Sequence, residues 1–267
     1  MRAETCSSRD WWRKYLFLQI ARRSASLPRV RSLLLIFLTT ARVSASELAT
    51  PADARQLVVV ATRAWDSDSG TLRRFARSAE DQPWRAVGRV VPVNVGRAGM
   101  AWGLGLHTTP TGGPQKAEGD GKAPAGVFRL TTAFGYDAKP AGVTLPYIRA
   151  RVGVEAVDDP HSRYYNRIVD RARVERADWH TSEKKRLDGD YYRVGVVIAH
   201  NPRCKPGAGS CIFLHVWRGA GRGTAGCTAM PVADITELQR WLDPRARPVL
   251  MQGPVEFIPA ALRPAAR

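Results

Sequence analysis

Cysteine is scarce in this chain, with four in 267 residues, and no group of His, Cys and Asp has the spacing of a zinc site. The sequence also lacks zinc-finger spacing, an RNP-like aromatic run and a clustered basic helix. These absences argue against a metalloprotein and a nucleic-acid-binding protein, although the net charge is +17. We therefore expect no metal, no organic cofactor and no nucleic-acid partner. The positive charge instead suits an anionic polymer or surface.

The apolar run near the N-terminus, Leu33 to Leu38, is too short to span a bilayer as a stable helix. Two basic residues, Arg29 and Arg31, precede it, and the small residues VSA at 43–45 follow it. This order is typical of a secretory signal peptide with its cleavage site. We therefore interpret residues 1–45 as a leader and expect an exported protein, located in the periplasm or cell envelope.

Two alternatives stay open for this leader. In the first, the segment is an uncleaved anchor, and the apolar run stays in the mature protein. The stretch before the basic residues is long for a signal peptide, which leaves open a translation start near Leu27 or Val30.

The expected export bears on the three cysteines after the leader, Cys204, Cys211 and Cys227. An oxidising compartment pairs accessible thiols, and an odd number leaves one of them free. The segment KPGAGS between Cys204 and Cys211 is rich in Pro and Gly and is suited to a turn that brings the two together. We predict a Cys204–Cys211 disulfide and a free thiol at Cys227.

Secondary-structure signals after the leader are mainly those of β-strands. Short apolar runs bounded by Gly, Asn or Pro predict strands in QLVVVAT, YYRVGVVIAHN, GSCIFLHVW and RPVLMQG. One helix is predicted where Ile235, Leu238 and Trp241 recur at helical spacing, with Asp234 before them in a capping-box position. No repeat or long low-complexity linker divides the chain. We therefore predict one mostly-β domain over residues 46–267.

The segment CIFLHVWRGAGRGTAGCTAMP places a histidine, His215, twelve residues before Cys227. A thiol nucleophile needs a base to deprotonate it and backbone N–H groups aimed at the developing oxyanion. Gly226 permits a tight turn in front of the cysteine, and the glycine-rich segment can fold back towards the histidine. The alternative interpretation is a buried core cysteine and a structural histidine.

These residues also carry a resemblance to a known family. FLHVW…TAGCTAM resembles the His…Ser/Thr-x-Gly-Cys signature of the L,D-transpeptidase catalytic domain, often called YkuD-like. Upstream, EGDGKAPAGVFRL is similar to the family's Thr-Pro-x-Gly-x-Phe strand, with Ala123 in place of the threonine. Two further stretches, DDPHSRYYNRIV and NPRCKPGAGSCIFLH, look like those of a branch of the family that has long insertions before the histidine. The resemblance extends from about Val58 to Leu250. It implies a mostly-β fold, a β-sandwich or mixed barrel with a few short helices.

The resemblance implies an exported enzyme that acts on peptidoglycan stem peptides. In such enzymes the cysteine attacks the carbonyl between a diamino acid and the terminal D-Ala, forms a thioester, and transfers the acyl group to the amine of a second stem as a 3–3 cross-link. Attack by water instead makes the enzyme an L,D-carboxypeptidase, and a non-catalytic wall-binding module is the alternative from another class. Acylation of the thiol by carbapenems is a further expectation. The sequence predicts no particular oligomeric state.

Carried over residue by residue, the resemblance makes Cys227 the nucleophile and His215 the general base. The N–H groups of Gly226 and Cys227 are then the oxyanion donors. Either the carbonyl of Val216 or the hydroxyl of Thr224 orients the histidine, and the sequence leaves both candidates open.

The family pattern is broken at Ala229, because many members have Arg or Asn two residues after the cysteine. Any contact with a substrate carboxylate must then come from elsewhere, and Arg222 and Arg218 are the candidates nearby. Three further residues are predicted either to line the substrate groove or to pack in the core: Tyr165, Asn166 and Trp217.

Overall fold

The computed structural model describes residues 48–264, apart from residues 109, 111 and 187–189. All of these residues belong to one compact unit. The predicted leader, residues 1–45, lies outside the described residues, and its cleavage stays a prediction. None of the helices in the described part of the chain has the length and apolarity needed to cross a membrane.

The described residues contain thirteen strands, in the chain order β1 Gln56–Thr62, β2 Ser69–Ala76, β3 Arg85–Asn94, β4 Met100–Trp102, β5 Ala123–Gly135, β6 Tyr147–Arg149, β7 Val154–Val157, β8 Arg167–Asp170, β9 Ser182–Lys184, β10 Val194–Ile198, β11 Phe213–Val216, β12 Thr228–Met230 and β13 Val249–Pro254. One α-helix, α1, spans Val232–Trp241. Five single turns of 3₁₀-helix complete the elements, at Arg171–Arg173, Asp190–Tyr192, Pro244–Ala246, Val255–Phe257 and Ala260–Leu262.

Ten of the strands form one sheet that closes on itself. Its order is β10-β11-β12-β3-β2-β1-β13-β5-β4, and β10 pairs a second time, with β5. The second pairing closes a ring of parallel and antiparallel strands from β10 round to β5, and β4 and β6 attach to β5. The strands β8-β7-β9 form a separate antiparallel sheet. The predicted mostly-β fold is confirmed, in the form of a mixed barrel.

Strand β1 shows why an unbroken apolar run predicts a central strand. It pairs with β2 on one side and, in parallel, with β13 on the other. Successive side chains of a strand point to opposite faces of the sheet, and every residue of β1 after Gln56 is buried. Both faces of β1 are therefore covered, which requires apolar residues at consecutive positions rather than in alternation.

The small sheet joins the barrel through a compact apolar cluster. It consists of Phe134 from β5, Ala156 from β7, Phe213 from β11, and the two buried cysteines Cys211 and Cys227. The rings of Phe134 and Phe213 meet edge to face with their centroids 5.4 Å apart. The insertion that carries β7, β8 and β9 is therefore packed directly against the strand that bears the predicted catalytic histidine.

The predicted C-terminal helix is present, but its start differs from the capping-box prediction. Helix α1 begins at Val232, after Pro231, so Asp234 lies within the first turn and makes no cap. Asp234 is buried, and one of its carboxylate oxygens accepts a hydrogen bond from Arg89 at 2.6 Å. The Asp234 carboxylate, which the sequence pattern predicts as a helix cap, therefore pairs with Arg89 instead.

Candidate active site

Strands β11 and β12 bring the predicted histidine and cysteine into one cavity. The two strands are parallel neighbours, with His215 opposite Ala229, and Cys227 immediately precedes β12. The Phe213 N–H donates a hydrogen bond to Cys227 Sγ at 3.3 Å, which fixes the sulfur beside β11. Cys227 and His215 both line a cavity of about 500 Å³. The glycine-rich segment between them is therefore a connection between adjacent parallel strands.

The turn before Cys227 is held by hydrogen bonds to the segment that follows β3. The Arg97 N–H donates to the Thr224 carbonyl, and the Thr224 N–H donates to the Val95 carbonyl, each at 2.8 Å. Two glycines allow the close approach. A Cβ at Gly223 would lie 2.6 Å from Arg97 Cα, and one at Gly226 would lie 3.1 Å from a carbonyl oxygen. Larger side chains at these positions would push the turn away from its support.

His215 is oriented by the carbonyl of the next residue. Its Nδ1 lies 2.8 Å from the Val216 oxygen, and a carbonyl can only accept, so Nδ1 carries the proton in the neutral ring. The other ring nitrogen, Nε2, then holds a lone pair. Of the two candidates for the orienting group, the structure places the Val216 carbonyl against the histidine.

Thr224 supports the turn rather than the histidine. Its hydroxyl donates to the Cys227 carbonyl at 2.6 Å and accepts from the Gly226 N–H at 3.1 Å. The Gly226 N–H is therefore already used within the turn. This corrects the prediction that it is available as an oxyanion donor, because a single N–H directed at a hydroxyl is not also directed at a substrate oxygen.

Burial sets the resting protonation of both groups. Cys227 is 6% exposed, and burial raises the pKa of its thiol to about 12. His215 is 8% exposed, and burial lowers the pKa of its imidazole to about 4. At neutral pH the resting site thus holds a neutral thiol and a neutral imidazole. The imidazole is in the state that accepts a proton, as a general base requires.

Charged side chains of both signs line the same cavity. The predicted Arg218 and Arg222 are among them, and both are exposed. The Arg218 guanidinium lies 4.5 Å from the centroid of the Tyr191 ring. Two cations and three acids that were not predicted for the site also lie on the cavity wall: Arg97, Lys116, Glu118, Asp158 and Glu183. A wall of mixed charge suits a peptide ligand that carries both carboxylate and ammonium groups.

Three residues were predicted either to line the groove or to pack in the core, and all three lie outside the cavity that Cys227 and His215 line, which corrects the groove assignment. Asn166 holds a loop in place, because its Nδ2 donates to the carbonyls of His200 and Asn201, each at 2.9 Å. Tyr165 is buried and its hydroxyl donates to Glu118. Trp217 is half-buried beyond the end of β11.

The predicted disulfide is absent, since Cys204, Cys211 and Cys227 are all free thiols. The turn between Cys204 and Cys211 does form, but it directs the second cysteine inwards. The Cys211 N–H donates to Asn166 Oδ1 at 2.9 Å, and its thiol lies 3.2 Å from the Val157 carbonyl. Cys204 is half-buried on the turn itself. Cys211 is therefore a neighbour of Cys227 in the apolar cluster and not a partner of Cys204.

This arrangement predicts the order of thiol labelling. In the native protein we expect iodoacetamide to modify Cys204 first, because Cys211 and Cys227 are buried and burial raises the pKa of both thiols. Denaturation without a reductant should make all three available. Peptide mapping by mass spectrometry measures each site, and a cross-linked peptide joining Cys204 to Cys211 would contradict the structure.

Two acid-sensitive imidazoles predict how stability depends on pH. His200 is buried, with Nδ1 accepting from the Leu104 N–H at 3.2 Å, and burial lowers its pKa to about 4, as it does for His215. In the unfolded chain a histidine has its ordinary pKa of 6.5. The unfolded state therefore binds more protons between these values, and the free energy of unfolding falls as the pH drops from 6.5 towards 4.

Each imidazole should contribute on the order of 3 kcal/mol to this loss over the whole interval. Urea unfolding at several pH values measures it. The variant His215→Asn removes one titrating group, so its stability should change less steeply with pH than that of the parent. An unfolding free energy that stays constant between about pH 6.5 and pH 4.5 would contradict the assignment.

Some residues at the site carried no signal in the sequence. SEKK at 182–185 has the composition of a solvated turn, yet Glu183 lines the cavity. YYRVGVVIAHN predicted one strand, but Tyr192 lies in a 3₁₀ turn before β10, and its ring centroid is 5.2 Å from that of His215. Local sequence does not report these contacts, because they depend on how the small sheet packs on β11.

Comparison with known proteins identifies one family. A model of the L,D-transpeptidase catalytic domain, YkuD, matches residues 81–251, well over half of the chain. The matched region contains both His215 and Cys227. No curated protein and no solved structure matches the chain.

Proposed function

Because the chain belongs to the L,D-transpeptidase catalytic domain (YkuD) family, we propose that it is a peptidoglycan L,D-transpeptidase. The family comprises cysteine-dependent acyltransferases that act on peptidoglycan peptide stems. One observation carries the proposal for this chain. Cys227 and His215 line the same cavity, and the Val216 carbonyl holds the histidine in the tautomer that leaves Nε2 unprotonated.

In the first half-reaction, Cys227 attacks the carbonyl between the diamino acid and the terminal D-Ala of a tetrapeptide stem. The Sγ proton passes to Nε2 of His215 as the S–C bond forms. The imidazolium then gives this proton to the amine of D-Ala, the C–N bond breaks, and a thioester remains. Because the resting thiol is neutral, proton transfer and attack are coupled, and the cavity holds no permanent thiolate that stray electrophiles could consume.

In the second half-reaction, the side-chain amine of another stem attacks the thioester. His215 accepts a proton from this amine, the S–C bond breaks, and the cysteine recovers its proton from the imidazolium. The product is a 3–3 cross-link. The cavity wall supports this assignment, since Arg97, Arg218 and Arg222 suit the carboxylates of stem peptides and Glu118 and Glu183 suit their ammonium groups.

We further propose that the protein works outside the cytoplasm, because its substrate is assembled in the cell envelope. The leader at residues 1–45 supports this proposal through its basic flank, apolar run and small residues. The positive net charge of +17 suits an anionic wall polymer.

The experiment that tests the reaction uses purified disaccharide-tetrapeptide and mass spectrometry. A cross-linked dimer that has lost one D-Ala is the expected product. Tripeptide without dimer would replace the proposal with an L,D-carboxypeptidase that uses the same thiol. An unchanged substrate, together with no mass adduct after incubation with a carbapenem, would leave only a wall-binding module.

A further inference from the structure

A buried lysine shares its aromatic neighbours with the proposed catalytic centre. Lys185 is 1% exposed, whereas the adjacent Lys184 has a side chain that is 50% exposed. The Lys185 Nζ lies 2.8 Å from Glu183 Oε2, 3.7 Å from the centroid of the Tyr192 ring and 4.0 Å from that of Phe213. Removing an ammonium group from water is costly, and lysine is almost never fully buried without a partner. The acid and the two aromatic faces compensate part of this cost.

The two aromatic residues around this lysine are also the ones that contact the reacting groups. Phe213 directs its backbone N–H at Cys227 Sγ, at 3.3 Å. The Tyr192 ring packs against the His215 ring with centroids 5.2 Å apart. Each of these two residues therefore contacts both the lysine and one of the reacting groups.

Glu183 connects this buried lysine with the cavity. Its Oε2 accepts hydrogen bonds from Lys185 and, at 2.7 Å, from the Tyr192 hydroxyl. Its side chain is 31% exposed and lines the cavity together with Cys227 and His215. One acid thus fixes both the lysine and the tyrosine that contacts the catalytic histidine.

The two charges act in opposite directions on the reacting groups. After burial, the carboxylate of Glu183 does most to raise the pKa of the Cys227 thiol, and Lys185 lowers it. For His215, burial and then Lys185 lower the pKa of the imidazole, and Glu183 raises it. Buried and partly buried charges are screened by salt less than exposed ones, so both influences should persist at moderate ionic strength.

We propose that Lys185 and Glu183 are a positioning pair that adjusts how readily the Cys227 thiol loses its proton within the Cys227–His215 centre. Glu183 restrains formation of the thiolate, Lys185 favours it, and the rings of Tyr192 and Phe213 hold both charges in place. The inference uses the proposed function only in treating Cys227 as the reactive thiol. The other charged groups on the cavity wall are Arg97, Lys116, Glu118, Asp158, Arg218 and Arg222.

The test measures the rate at which iodoacetamide alkylates Cys227, followed by peptide mapping so that Cys204 and Cys211 are counted separately. This rate follows the thiolate fraction and requires no peptidoglycan substrate. At about pH 9, Glu183→Gln should raise the rate and Lys185→Met should lower it, each by roughly threefold to tenfold. The double variant Glu183→Gln/Lys185→Met should lie between the two.

Two controls separate charge from packing. Lys184→Met removes a neighbouring cation that pairs with Glu155 and should leave the rate unchanged. Lys185→Arg keeps the charge, so its rate should stay close to that of the parent. If Lys185→Met does not fold, an increased rate in Glu183→Gln beside an unchanged rate in Lys185→Arg supports the proposal, and an unchanged rate in Glu183→Gln overturns it. Rates that move in the same direction in Glu183→Gln and Lys185→Met, or in neither, would overturn the proposal.

The outcome is independent of the reaction assigned above. A protein that forms no cross-linked dimer but shows opposed alkylation rates would retain the positioning pair and lose the proposed reaction. A protein that forms the dimer but shows unchanged alkylation rates would retain the reaction and lose the pair.

Discussion

Replacement of Cys227 by alanine is expected to abolish transfer and to prevent any covalent adduct. In the proposed reaction the Cys227 thiol forms the thioester, and it lines the same cavity as His215. Loss of the nucleophile from such a centre lowers the turnover number on the order of a thousandfold or more. The measurement is dimer formation from disaccharide-tetrapeptide, with the intact mass after carbapenem treatment as a second result.

A serine at this position is the sharper variant, because it keeps the size of the side chain and the turn around it. A hydroxyl is a far weaker acid than a thiol, and His215 is already a weak base because burial lowers its pKa to about 4. We therefore expect Cys227→Ser to fold and to be nearly as inactive as the alanine variant. Appreciable dimer formation by either variant would assign the chemistry to another residue.

The other cysteines provide matched controls for this experiment. Cys204→Ala changes a half-buried residue on a turn and should leave activity intact. Cys211→Ala removes a buried thiol from the cluster around Cys227 and should cost stability rather than the capacity to form an adduct. If Cys204→Ala also lost the adduct, loss of the adduct in Cys227→Ala would not identify Cys227 as the nucleophile.

Replacement of His215 by asparagine is expected to lower the acylation rate by about a hundredfold to ten thousandfold. The asparagine amide can still donate to the Val216 carbonyl, so the strand end keeps its hydrogen bond, but the lone pair of Nε2 is lost. Substrate binding should change little, because the cavity wall is otherwise unaltered.

The pH dependence distinguishes loss of the base from a loss of packing. In the parent, burial lowers the pKa of His215 to about 4, so the base is protonated and the rate falls only as the pH drops towards that value. In His215→Asn this acidic limb should disappear, and the residual rate should rise with pH as the thiol ionises. Single-turnover acylation across the pH range is the measurement. A variant that keeps the acidic limb would exclude His215 as the base.

Several features were predictable from the sequence because they depend on neighbouring residues alone. The run QLVVVAT forms β1 as predicted, since consecutive valines can only be buried on both faces of a strand. The order and glycine-rich spacing of His215 and Cys227 singled them out, the family resemblance gave them their roles, and the structure places both in one cavity. The fold class followed from the number of short apolar runs.

Two of the errors share a physical cause, because both concern the direction in which a side chain points. KPGAGS predicted a turn, and a turn is present, but the hydrogen bond from the Cys211 N–H to Asn166 rotates the thiol into the core. Asp234 fitted a helix cap, but Arg89 pairs with it across the fold. Both competing partners are far away in the sequence, so no local pattern contains them.

The sequence by itself determined the mostly-β class, the candidate nucleophile and base, and the glycine-rich turn between them, because these depend on local composition and order. Only the tertiary structure decided that the Val216 carbonyl orients His215, that Thr224 uses the Gly226 N–H, and that Lys185 is buried beside Glu183. The physical reason is packing: Lys185, directly after β9, lies 4.0 Å from the centroid of the Phe213 ring on β11, and this packing excludes water from a charge that an isolated segment would leave in solvent.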